Sequence, residues 1–262
     1  MGDVKDMIMS QVRREVMNGT LETGKRFDGR AFGEFRPVEV QKGVIGTAEG
    51  SAIAKVGATT ALVAVKFDVV TPFADRPTEG VMMMNSELLP TASPVFETGP
   101  PGEESIELAR VVDRGLRSAE IVDMKSFYIE EGKVLGMFLD IYALNHAGNL
   151  TDAASIAAAA ALLDAKMPKI EEGKIIRGES TGPLNPKAVP ISTTMVKVGN
   201  SWLVDPTRDE ERVQETSITI STTKEHVCSM QKRNGAVTKD ELLSNIDIAF
   251  KTGNDIRKIL QG

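Results

Sequence analysis

Residues 151–166 read TDAASIAAAAALLDAK, and this stretch decides the fold. Alanine is the strongest helix former, and its small side chain lets a helix approach its neighbours closely. Thr151 or Asn149 can cap this helix. Asp152 favours its first turn, Lys166 favours its last, and Pro168 closes it. So little side-chain bulk around a helix implies a sheet packed hard against it.

Outward from this helix the period changes to that of strands. Upstream lie strands near 126–130 and 133–143, and before them a helix over about 104–120. A loop over 90–104 (PTASPVFETGPPGEE) carries four prolines and two glycines. From about 35 to 71 the chain reads as a meander of antiparallel strands. Ala61 to Val70 (ALVAVKFDVV) is one of them, and Gly43, Gly46, Gly50 and Gly57 mark turns. Downstream, 167–190 is a second connection rich in proline and glycine. Strands resume near 191–198, 201–204, 215–222 and 227–231. Thr238 and Glu241 have capping-box spacing and open a last helix through Leu242, Ile246, Phe250, Gly253, Ile256 and Leu260.

At the start of the chain, Val4, Met7, Ile8, Val12 and Val16 fall on one helical stripe over about 3–18, with Gly19 as a stop. Strands followed by a helix occur twice. The expectation is therefore an α+β fold, one unit over 1–262. Its first β-α half spans about 26–166 and its second about 190–262, with helices packed on antiparallel or mixed sheets.

Composition narrows the function classes. The 262 residues are 41% hydrophobic and 26% charged, the balance of a globular chain with a full core. Cys228 is the one cysteine, so no internal disulfide is possible, which suits a reducing compartment. No apolar run approaches the roughly 20 residues of a membrane span. The first residues alternate charge with apolar side chains, unlike a signal peptide, so the expected location is cytoplasmic, with no membrane partner. A net charge of −6 argues against a surface coated in basic residues for nucleic acid, though it leaves room for a local basic patch.

Metal and nucleophile chemistry find little support. His146, His226 and Cys228 are too few for a zinc site, and His226-x-Cys228 reads as an incidental strand pair. The glycines at 43, 46 and 50 lack the Lys-Ser/Thr of a phosphate-binding loop. No metal or cofactor is expected. The acidic run 205–215 (DPTRDEERVQE) offers carboxylates for acid catalysis, but Asp209, Glu210 and Glu211 read more simply as a solvated turn.

The helix over 104–120 says more. Leu108, Val112, Leu116 and Ala119 mark its buried face, while Arg110, Arg114 and Arg117 span only about 60° of the other side. Glu107–Arg110 and Asp113–Arg117 are spaced for salt bridges. Arg114 has no such partner: its helical neighbours are two arginines, Val111 and Ser118. Like charges at this spacing cost a few tenths of a kcal/mol each, so the ridge either faces an anion or is merely tolerated.

Taken in order, these pieces resemble the ribonuclease PH family. Arg26-Phe27-Asp28-Gly29-Arg30 resembles its R-x-D-G-R opening. Gly50-Ser51-Ala52, with Gly57 and Thr59, resembles its G-S-a…G-x-T segment. Glu107 to Arg117 resembles its first long helix, and Asp205 to Glu211 its D…EE segment. Within the family, FETGPPGEESIELARVVDRGLR, GNLTDAA and LVDPTRDEE look most like the non-catalytic ring subunit of archaeal exosomes.

That resemblance implies two related β-α halves and an alternating hexameric ring shared with a catalytic sister subunit. It further implies RNA entering a central channel beneath RNA-binding cap subunits. Active members carry a D-G-G-S/T-R-like run at the start of the Ala-rich helix, where inorganic phosphate is held to attack RNA. Here the run is Ala147-Gly148-Asn149-Leu150-Thr151. By resemblance, Leu150 stands in place of a phosphate-binding hydroxyl, Thr151 in place of an arginine, and Glu215 at the position of the catalytic aspartate. Arg110, Arg114 and Arg117 would face the neighbouring active site and grip the RNA backbone. A subunit inert in chemistry is the favoured reading. An active phosphate-dependent 3′-to-5′ exoribonuclease and a fold relative with no RNA role are its rivals.

Overall fold

In the computed structural model, residues 2–261 are described, with side chains from Val12 onward. In chain order the first sheet takes β1 (Val38–Lys42), β2 (Gly50–Val56), β3 (Thr59–Val70), β4 (Val81–Leu88), β5 (Tyr128–Glu130) and β6 (Lys133–Asn145). Its spatial order is β1-β2-β3-β6-β4, with β5 pairing off the path against β6. Every pairing is antiparallel except β4 with β6, whose connection carries α2 (Glu103–Ser118). The second sheet runs β10 (Ser201–Val204), β9 (Ile191–Val198), β11 (Thr216–Thr222), β12 (Val227–Arg233). This is the expected α+β architecture.

Between the sheets lies α3 (Leu150–Asp164), buried from Leu150 to Leu162 except at Thr151. It packs on β2 and β3 on one side and on β9 on the other. A helix without a polar face is stable only when it is covered all round. The contact is close enough to dictate a glycine: a Cβ on Gly50 would lie 2.5 Å from the Ala161 carbonyl oxygen. Around α3 the core is Val63, Val65, Phe67, Met137, Leu139, Ile141 and Ile156, all buried. Each large aliphatic side chain buried this way contributes roughly 1.5–3 kcal/mol. The last helix, α5 (Lys239–Gln261), packs on β9, β11 and β1. Its expected capping box forms, with Thr238 N–H donating to Glu241 Oε2 at 2.8 Å.

Four local features depart from the sequence reading. The first helix, α1 (Gly2–Glu22), passes through Gly19 and stops before Gly24, whose φ is +77°. A helical glycine costs about 1 kcal/mol against alanine. Burial of Met17 and Leu21 against Val196, Val198, Leu203 and Val213 offsets that. Val12 and Val16 of the expected stripe are 48% and 55% exposed, and the side chains of Val4, Met7 and Ile8 lie outside the described residues.

Secondly, α3 ends at Asp164 with no basic residue in its last turn; Lys166 and Pro168 belong to β7 (Lys166–Glu171). Thirdly, the connection 167–190 contains a hairpin of β7 with β8 (Lys174–Pro183). Glu172 and Gly173 make its turn with φ of 51° and 70°, the positive pair that two-residue hairpins require. Finally, the acidic run holds a short helix, α4 (Arg208–Val213), opened by a Thr207–Glu210 capping box.

Candidate functional site

The two charged motifs of the sequence meet each other. Arg26 Nε and Nη2 donate to the two Glu210 oxygens at 2.9 and 2.6 Å, a fully buried forked pair. Arg36 grips both Asp205 oxygens from Nη2 and Nε, each at 2.7 Å, and Arg30 Nη1 reaches Oδ2 at 3.1 Å. Asp205 itself sits at φ 52°, a left-handed conformation that asparagine and aspartate tolerate best. Burying so many charges is a poor source of net stability, but losing one partner strands the others. The segment 26–36 is thereby stapled across the start of the second half.

This staple sets the start of α3. Arg36 Nη2 and Thr59 Oγ1 both donate to the Gly148 carbonyl, at 3.1 and 2.6 Å. Gly148 has φ 98° and lies against the Thr207–Arg208 backbone, so no side chain fits there. Asn149 caps the helix from a left-handed conformation (φ 54°, ψ 48°) without a side-chain cap bond. Its amide nitrogen instead donates to Asp152 Oδ2 and Asp205 Oδ1, both at 2.7 Å. Thr194 adds two donors to the buried Asp152, its backbone N–H and its hydroxyl, each at 2.8 Å. Burial pushes the Asp152 carboxyl up to about 7 against those donors.

Beside this helix start opens a cleft of about 220 Å³ between α2, α3, β9, β11 and β12. Leu150 and Thr151 line it, together with Glu104, His146, Glu211 and Arg233. The Glu211 carboxylate accepts the Asn149 backbone N–H at 2.7 Å. Burial pushes Glu211 up to about 7, and Glu104 adds to that push. Burial also depresses His146, helped by Arg208, Arg36 and Arg212, to about 4, so its imidazole is neutral near pH 7. His146 stacks on Phe96, ring centres 5.5 Å apart.

On the cleft's rim, α2 and β12 exchange polar contacts. Arg114 Nη1 donates to Gln231 Oε1 at 2.7 Å, and Arg233 pairs with Glu107. Arg117 pairs with Asp113 at 2.8 Å, as its spacing implies, and also reaches the Met82 carbonyl. Glu107 is taken by Arg233, so the expected Glu107–Arg110 pair does not form. All three α2 arginines are exposed.

Leu150 and Thr151 thus sit together at the cleft, with Arg114 one contact away through Gln231. Glu215 does not line it. It is exposed, and its Oε1 accepts the Gly199 N–H at 3.3 Å. Two and four residues on, Ser217 and Thr219 line the cleft from β11. Glu210 and Glu211 differ from the solvated turn that the sequence suggests: one is buried against Arg26 and the other faces the cleft, while Asp209 alone of the three is well exposed. The Thr207–Glu210 capping-box spacing marks the short helix that carries them, but their partners Arg26 and Asn149 lie 184 and 62 positions away. His226 pairs with Thr223 in the turn before β12, and Cys228 lies in β12, half-buried against the core. Among the described residues, no group of three or more His, Cys, Asp or Glu side chains is placed to hold a metal ion, and no helix is long and apolar enough to cross a membrane.

Comparison with known proteins finds a family that matches most of the chain. The model of the 3′ exoribonuclease family (RNase PH), domain 1, matches residues 34–168, and that of domain 2 matches 188–252. Exosome complex component Rrp42 of Thermococcus gammatolerans is 45% identical, over 99% of this chain and 97% of its own length. A structure described as the Archaeoglobus fulgidus exosome with RNA bound to the active site contains a similar subunit. That subunit is 43% identical with TM-score 0.86, over 96% of this chain and 98% of the other. A chain of an archaeal exosome core is 39% identical with TM-score 0.85, over 98% and 100%. The fold, the stapled motifs and these full-length relatives together place the chain in the 3′ exoribonuclease (RNase PH) family.

Proposed function

We propose that this chain is a non-catalytic subunit of a 3′-to-5′ phosphorolytic exosome ring. It structures the active site of a catalytic ribonuclease PH-like sister and lends arginines to the RNA path. One observation carries the reading: the start of α3 presents Leu150 and Thr151, with the Glu211 carboxylate already on the adjoining amide. Phosphorolysis must hold inorganic phosphate beside an RNA phosphate, which calls for cations, hydroxyls and free N–H groups aimed at the attacking anion. A leucine and a resident carboxylate oppose both anions. Glu215 adds no acid there, since it faces Gly199.

The exposed face of α2 supports the RNA half of the reading. Arg110 has no hydrogen bond or ion pair among the described residues, and Arg114 has a neutral partner. Both are free to meet phosphates, as is Arg117 if its Asp113 pair opens. Such contacts add affinity without reading sequence. The proposed partners are the catalytic sister in an alternating hexameric ring, RNA-binding cap subunits and RNA, in the cytoplasm. The exosome components and the RNA-bound exosome among its relatives favour these partners.

The test is co-expression with the catalytic sister, sizing of the complex, and a phosphate-dependent RNA degradation assay. The chain alone is expected to release no nucleoside diphosphates, while the complex is active and loses activity only through changes in the sister's site. Phosphate-dependent degradation by this chain alone would sink the reading.

A further inference from the structure

The first sheet is apolar at the centre of both faces, and α3 covers only one of them. Val63, Val65, Met137, Leu139 and Ile141 are fully buried on the α3 side. Strand side chains alternate, so the residues between these point the other way. On that outer face the register sets Ile53 beside Leu62, Leu62 beside Tyr142, and Phe138 beside Met83. A sheet face left to water normally carries polar side chains. Here Ile53, Leu62, Phe138 and Tyr142 are half-buried yet lie outside the core around α3, and Met83 is 41% exposed.

Charge rings this centre unevenly. Lys55 pairs with Glu39, Lys66 with Glu49 and Asp68 with Arg177. The Asp140 carboxylate accepts the Asn85 amide at 3.3 Å, and neither it nor Glu87 has an ion pair among the described residues. Both flank Tyr142: burial, then Asp140 and Glu87, push its phenol up. An apolar centre inside a polar rim is the anatomy of a protein interface. β2, β3, β6 and β4 lie side by side across this face. At about 4.8 Å between strands and roughly 25 Å along them, it covers roughly 500 Å². Apolar patches of roughly 300–600 Å² on a monomer are often functional, and a standard interface buries about 800 Å² per partner. The face is therefore large enough to centre an interface and too small to be all of one.

We propose that the catalytic ribonuclease PH-like sister packs on this outer face, through an apolar patch of its own flanked by lysine or arginine. The inference rests on the ring reading above and names a docking surface which that reading leaves open. Contact with Leu62, Phe138 and Tyr142 supplies the attraction, and a cation against Asp140 and Glu87 selects the partner. A second copy of this chain is the poorer occupant. Each copy carries a net charge of −6 and would bring the same two carboxylates. Leu108, Val112 and Leu116 fix α2 in the core on the α3 side of the sheet, so its arginines and this face are separate surfaces.

The experiment measures binding of the full-length chain to the sister, with light scattering to size the product. It compares the wild type, Leu62→Glu, and the pair Glu87→Lys with Asp140→Lys; the melting temperature of each free chain is the fold control. Glu87 is exposed and Asp140 lies on the rim, so the charge-reversed chain keeps its fold even if Leu62→Glu does not. Leu62→Glu is expected to bind about a hundredfold more weakly, and the charge reversal about tenfold. Wild-type affinity should fall as salt rises, while that of the reversed chain should rise as repulsion is screened. Hydroxyl-radical oxidation of Met83, Phe138 and Tyr142 in the free chain should be lost in the complex. Two folded variants that assemble like the wild type would overturn the face and leave the ring reading standing. A wild-type chain that ignores the sister would overturn both. A free chain that already dimerises, and that Leu62→Glu makes monomeric, would overturn the choice of the sister as occupant.

Discussion

The Glu211 carboxylate accepts the Asn149 backbone N–H at 2.7 Å. A carboxyl of the protein's own, pushed up to about 7 by burial and so partly ionised near neutral pH, therefore occupies the approach to the α3 N-terminus, where helix amides and dipole favour an anion. Restoring the two missing side chains is then insufficient. The double variant Leu150→Ser, Thr151→Arg is expected to show no phosphate-dependent RNA degradation and no saturable phosphate binding by calorimetry. Detectable phosphorolysis from that variant alone would show that Glu211 is no obstacle.

Arg114 holds only Gln231, a neutral partner, so its charge is available to RNA. In the assembled complex, Arg114→Ala is expected to weaken RNA binding about equally across sequences. It should lower the log–log salt slope by roughly one. The sign follows from counterion release: a variant with one contact fewer loses less affinity as salt rises, so the defect is largest at low salt. A filter-binding series against salt measures this, and an unchanged slope would remove Arg114 from the RNA path.

Among the described residues, Asp205 is the one carboxylate paired with Arg36, and it also pairs with Arg30. Asp205→Asn keeps the shape but leaves buried guanidiniums short of a counter-charge. Breaking such a pair from one side costs about 3–5 kcal/mol. A fall of that size in unfolding free energy, read from a denaturant titration, is expected.

His146 is depressed by burial, and by Arg208, Arg36 and Arg212, to about 4 from 6.5. Because its folded value is the lower, the unfolded chain takes up the proton first as pH falls. The stability it contributes is full above pH 6.5 and is lost as pH falls toward 4. His146→Gln is therefore expected to flatten the decline in melting temperature between pH 6.5 and 4. An unchanged acid branch would place the sensitivity elsewhere.

Gly148 combines φ 98° with contact against the Thr207–Arg208 backbone. Gly148→Ala is expected to destabilise by about 1–3 kcal/mol through backbone strain alone. The clash adds to this and should shift Asn149, visible as altered amide exchange in the first turn of α3.

How much of this was legible in the sequence depends on the range of the interaction. The α3 helix, the 90–104 loop and the α5 capping box are local patterns, and each reads from neighbouring residues. The β7–β8 hairpin was hidden because Pro168 and Gly178 mimic loop composition, whereas its turn depends on two positive φ angles. For the site, Leu150 and Thr151 are singled out through the family resemblance; the residues alone locate only the start of α3. The Arg26–Glu210 pair joins residues 184 positions apart, so nothing local announces it. Glu211 was read as solvated for the same reason: its partner, Asn149, is 62 positions away.

The burial of α3 on both flanks bears on how the molecule comes apart. Its upper surface belongs to β2 and β3 and its lower to β9. Removing either sheet would expose a run of alanines and isoleucine that water cannot favour, and an alanine helix of this length is marginal on its own. The two family domains meet between residues 168 and 188. Cutting there would hand the shared helix to the first fragment and strip β9 of its floor. The molecule should melt as a single cooperative event, with the slowest-exchanging amides of both halves reporting one common opening.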